Sequence, residues 1–173
     1  MILNYPGLFP QYEVVVVEGN KNFNPQRCLI SNKEIRYSLS EEFNIFIKDP
    51  ARPMSLSQID FMMAGYMAKI SDNQLMNYLK ISRLKGLLSK EKIIWTIDFL
   101  TKNQANGETG FLPTKNNCST IIGYTLCNDG EIRVVNTYFF NSSNTWYIDC
   151  LDIIDPFIGG DQFLIEKKLI EVK

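Results

Sequence analysis

The spacing of apolar residues changes period twice along the chain. The resulting order, strand-like, then helix-like, then strand-like again, is the strongest constraint on its fold. Within residues 1–50, the β-branched run at 12–18 ends at Gly19-Asn20, which predicts a strand followed by a turn. Residues 28–30 and 34–39 read as a short hairpin around Ser31-Asn32-Lys33, and 43–47 as a further strand. Pro50 and Pro53 close the segment, because each disfavours helix at the residue before it.

Residues 55–105 switch to three-and-four spacing, with Ile59, Met62, Met63, Tyr66, Met67 and Ile70 behind a cap at Ser55 or Ser57. Ser71, Ser82 and Ser89 offer further caps, the last ahead of Ile93, Ile94, Ile97, Phe99 and Leu100, so three to four helices are expected. Residues 111–173 return to strands. Ile121–Leu126 and Ile132–Phe140 flank Asp129-Gly130, where glycine accepts the positive φ of a tight hairpin. Strands at 146–154 and from 163 onward follow turns at 141–144 and 158–161, which completes an expected four-stranded antiparallel meander.

Blocks of strands and helices, rather than their alternation, predict an α+β fold. We expect one compact domain, 1–173, with sub-regions 1–50 β, 55–105 α and 111–173 β. The connections at 49–54 and 103–110 are short, so the helical block is expected to cover the sheet. A chain of 173 residues buries roughly 70% of its unfolded surface, enough for a core without staples. Neither G-x-x-x-x-G-K-[ST] nor G-x-G-x-x-G occurs, and Gly159-Gly160 lies between strands, so no phosphate-binding loop and no cofactor are expected.

The sequence contains no histidine. That excludes Ser-His-Asp and Cys-His catalysis and every zinc site that needs an imidazole. Cys28, Cys118, Cys127 and Cys150 form no C-x-x-C pair. The first residues have neither a basic stretch nor an apolar signal core, and no run of apolar residues is long enough to span a bilayer. These features predict a cytoplasmic protein with reduced, mostly buried cysteines and no membrane partner. A net charge of −1 argues against purely electrostatic binding to nucleic acid or anionic lipid.

Two stretches resemble functional motifs. Residues 71–85 resemble the helix-turn-helix element of bacterial DNA-binding proteins, a short helix, a turn and a second helix opening at Ser82. The resemblance implies that Ser82, Arg83 and Lys85 face bases and phosphates, with nucleic-acid contact through residues 82–92. It departs from the motif at Met76, Lys80, Gly86 and Ser89. An ordinary helical hairpin in a core is the competing reading. Asp152 followed by Glu166-Lys167-Lys168 resembles the PD-(D/E)-x-K nuclease signature. That resemblance implies Mg²⁺ held by Asp152 and Glu166, with Lys168 stabilising developing charge. Cross-strand charge pairs are the alternative.

The function expected from the residues is non-enzymatic binding of another protein. Its concrete form is a small dedicated inhibitor, such as a toxin-immunity protein or a phage-encoded antagonist. Glu131, Asp149, Asp152 and Asp155 are the candidate acidic face, suited to a basic target. Trp146 and Tyr147 are the candidate aromatic anchors, beside Tyr138, Phe139 and Phe140.

Overall fold

The computed structural model describes residues 12–17, 23–48, 59–65, 87–108, 110, 120–127, 129–152 and 162–166. Among these, seven strands make one mixed sheet: β1 (Tyr12–Val17), β2 (Tyr37–Leu39), β3 (Ile59–Gly65), β4 (Ile121–Leu126), β5 (Ile132–Phe140), β6 (Thr145–Asp152) and β7 (Gln162–Glu166). Their spatial order is β1-β3-β7-β4-β5-β6-β2. Two α-helices, α1 (Glu41–Lys48) and α2 (Lys90–Lys102), and a 3-10 turn at Pro25–Arg27 complete the described elements.

The β4–β5–β6 meander follows from local chemistry. Gly130 takes φ +86°, its N–H donates to the Cys127 carbonyl, and the Asp129 carboxylate accepts the Glu131 N–H at 2.9 Å. Asn144, at φ +50°, ends the β5–β6 turn. Period-two alternation then sends Val135, Phe139, Trp146, Ile148 and Cys150 to one face of the sheet. On that face they join Phe43, Phe46 and Ile47 of α1 and Ile93, Ile94, Ile97 and Leu100 of α2 in a single core. Ser89 caps α2 by accepting the Lys92 N–H at 3.3 Å, and Ser40 accepts the Phe43 N–H at 3.1 Å at the start of α1. Gly123 admits α2 to the sheet: a Cβ there would stand 3.2 Å from Ile93.

The α+β class holds, but the expected layout does not. Residues 43–47 form helix rather than strand. Phe43, Phe46 and Ile47 fall on one helical face, a pattern that a short apolar run shares with a buried strand. Ile59–Gly65, expected as the first of three to four central helices, is a strand paired antiparallel to both β1 and β7. Non-local pairing there overrides the helical spacing of Ile59, Met62 and Met63. Of that helical block only α2 is helical among the described residues: Leu88, expected with Leu87 on the helix opening at Ser82, is extended in a parallel bridge to Thr125, and residues 66–86 fall outside the described residues.

The C-terminal meander has three strands, not four. β7 crosses to the far side of β4, which it meets in parallel at Ile121↔Gln162 and Ile122↔Phe163. The expected hairpin at 28–39 is also absent. Leu29 is left-handed at φ +55°, and β2 pairs in parallel with β6, from Tyr37↔Trp146 to Leu39↔Ile148. No helix among the described residues is long and apolar enough to cross a membrane.

Candidate functional site

The β5–β6 pair divides the predicted site residues between the two faces of the sheet. Trp146 lies on the helical face, 1% exposed, with its ring 4.9 Å from Phe139. It is a core residue, so it leaves the candidate partner surface. Tyr147 points the other way, as alternation requires. It stacks on Tyr138 at 5.3 Å and 8° and meets Phe140 edge-on at 6.0 Å and 82°. Tyr138 and Tyr147 are half-buried and Phe140 is exposed, so one side of this aromatic cluster meets solvent.

Asp149 shares that face, two positions along β6 from Tyr147 and across from Asn136. Burial first, then Tyr147 and Asp149, push the Tyr138 phenol above its ordinary pKa and keep it a neutral hydrogen-bonding group. Asp149 has a second task. β2 pairs with β6 as far as Ile148, and the Asp149 carboxylate accepts the next amide, that of Cys150, at 2.8 Å. A charged group over the amide blunts this stretch of sheet edge against unwanted strand addition.

The remaining acidic candidates separate. Glu131 is exposed in the β4–β5 turn. Asp152 ends β6 on the helical side, where its carboxylate pairs with Arg133, directly across the register. Arg133 also reaches Asp129 at 3.1 Å, so one guanidinium bridges two carboxylates. The Glu131 amide, then Arg133, hold the Asp129 carboxyl below its ordinary pKa, and Asp129 first among its partners raises that of Arg133. Asp155 lies outside the described residues.

The nuclease residues are not brought together. Asp152 is on β6 and Glu166 on β7, with β4 and β5 between them, three strand spacings or roughly 14 Å apart. Two carboxylates sharing one Mg²⁺ each approach it to about 2 Å, which this separation forbids. Asp152 is moreover committed to Arg133. Lys168 lies outside the described residues. Among the described residues no group of three or more Cys, Asp or Glu is placed to hold a metal ion. The helix-turn-helix residues Ser82, Arg83 and Lys85 also lie outside them. Of the basic side chains in 82–92, Lys90 sits 5.0 Å over the Phe46 ring.

A cleft of about 660 Å³ opens on the helical side, and sequence reasoning missed it. Ile45 and Phe46 of α1 form one wall; Cys127, Cys150 and the Arg133–Asp129 pair form the other. Cys150 is 5% exposed, and burial pushes its thiol up to about 12, so it is an inert apolar wall. The signal that could have found this cleft was the conversion of residues 43–47 into a helix, which leaves Ile45 outward and 66% exposed.

No protein-family model, curated protein or solved structure significantly matches the chain.

Proposed function

We propose that this protein is a non-enzymatic binding protein, a small dedicated inhibitor in the manner of immunity proteins and phage-encoded antagonists. It acts in the cytoplasm, where Cys28, Cys127 and Cys150 stay as free thiols. Its partner is a protein with a basic surface. The observation carrying this reading is the Tyr138–Tyr147 stack, bordered by Phe140 and Asp149 on the sheet face opposite α1 and α2, with Phe140 exposed at its end. Stacked tyrosines offer a rigid platform on which an arginine side chain of the partner can lie, and a carboxylate beside them pairs with its guanidinium. Tyrosine also brings large contact area at small entropic cost, which is why it recurs among interface hot spots.

The test is photo-crosslinking in the source cell from a benzoylphenylalanine placed at Phe140, with the exposed Lys33 as the control position. One basic protein should be captured from position 140 and not from 33, and Tyr147→Ala in the same chain should abolish the capture. Failure to capture any stoichiometric protein, or capture that ignores Tyr147→Ala, would remove the proposal.

A further inference from the structure

The two ends of the sheet are built differently. Among the described residues, β1 and β2 are its outermost strands. β2 is three residues long, and beyond it the Asp149 carboxylate accepts the Cys150 amide. β1 has no such protection. It pairs with β3 along all six residues, from Tyr12↔Ala64 to Val17↔Ile59, and no described strand lies on its other side. Alternate residues of an antiparallel strand turn both N–H and C=O away from the neighbour, so β1 presents a row of backbone donors and acceptors on that side. The strand holds no proline, lysine or glycine, its register has no bulge, and its one charge, Glu13, stands near one end. Charges, prolines and bulges are the devices by which edges avoid pairing, and a valine run without them favours strand addition.

We propose that β1 pairs antiparallel with β1 of a second copy of this chain, joining two seven-stranded sheets edge to edge. The strand is complementary to itself. A two-fold axis at Val15 sets Val14 against Val16 and Glu13 against Val17. β-branched residues then oppose one another, and the two Glu13 charges fall at opposite ends of the pairing. Pairing of β1 with the β2 edge of another copy would be head-to-tail and open-ended, and β2 offers only three residues to it. β3, β7 and β4 separate β1 from the tyrosine stack on β5 and β6. The pairing therefore needs no part of the preceding reading and leaves both stacks free.

The experiment is NMR on an equimolar mixture of isotope-labelled and unlabelled full chain, with sedimentation equilibrium on the same preparation. Sedimentation should give the mass of two chains, and isotope-filtered NOEs should connect residues 12–17 of one copy to 12–17 of the other. Val14→Pro and Val15→Pro then separate pairing from folding. One of these valines donates its N–H to β3 and the other points it outward, so one substitution breaks the β1–β3 pair and the other leaves it intact. The variant that keeps the wild-type circular dichroism should sediment as a single chain. A single-chain mass for the wild type, intermolecular NOEs only from other residues, or a folded proline variant that remains a dimer would each overturn the proposal.

Discussion

The carboxylate of Asp98, 1% exposed within α2, accepts the backbone N–H of Leu29 at 2.8 Å across 69 positions of sequence. Leu29 is left-handed and 3% exposed, so its amide has left water and needs this acceptor. Lys102, one turn along the helix, pairs with the other carboxylate oxygen at 2.7 Å. The Tyr37 phenol meets the Thr101 hydroxyl at 2.8 Å alongside. Together these bonds pin the 28–39 stretch to α2 and so place β2 against β6.

Asp98→Ala strands the Leu29 amide and should cost about 3 kcal/mol in urea unfolding. Asp98→Asn keeps an acceptor and loses only the charge, so it should cost clearly less. A loss from Asp98→Ala below about 0.5 kcal/mol, the scale of an ordinary surface change, would show that the pin is not needed.

Burial, and for Cys28 the neighbouring Asp98 charge, push the Cys28 and Cys150 thiols up to about 12, while burial raises the Tyr37 phenol as well. The sign follows from linkage. Between the ordinary thiol value near 9 and about 12, the folded chain holds protons that the unfolded chain releases. This contribution is complete below about pH 9 and is lost progressively as pH rises toward 12. Urea midpoints measured across that range should fall, and the fall should be shallower in Cys28→Ala/Cys150→Ala. With iodoacetamide, mapped by mass spectrometry, the half-buried Cys127 should label ahead of Cys28 and Cys150.

Two glycines with positive φ separate backbone strain from collision. Gly107, at φ +70°, faces the Phe139 ring, into which any Cβ would drive; Gly130, at φ +86°, has nothing within 4 Å. Gly130→Ala should cost about 1–2 kcal/mol, the left-handed term alone. Gly107→Ala should cost a further 1–3 kcal/mol or about that, because Phe139 is held against Trp146 in the core. Equal losses at the two positions would contradict the packing described around Phe139.

Local signals in the sequence located the elements whose structure is decided locally. Asp129-Gly130 marked its hairpin, and the strands on either side keep the expected bounds, Ile121–Leu126 and Ile132–Phe140. Ser89 marked the start of α2. What escaped was decided by distant partners. Ile59–Gly65 has helical spacing and becomes a strand because β1 and β7 pair with it on both sides. β7 leaves the meander for the far side of β4, a choice that no local residue encodes. At the candidate site, Trp146 and Tyr147 were expected as joint anchors and Asp149 and Asp152 as one acidic face, whereas alternation along β6 puts Tyr147 and Asp149 on one face and Trp146 and Asp152 on the other. Which of those faces the helices would cover depended on α1, whose apolar positions read equally well as a strand.

Recognition of a basic protein by the Tyr138–Tyr147–Phe140 end of the β5–β6 pair is tested most directly by calorimetric titration of the captured partner. Tyr147→Ala should weaken binding by about tenfold or more, as truncation of a hot-spot aromatic does. Asp149→Asn should also weaken it and flatten its dependence on salt, because the lost pair is electrostatic. Affinity and salt dependence equal to wild type in both variants would contradict the account.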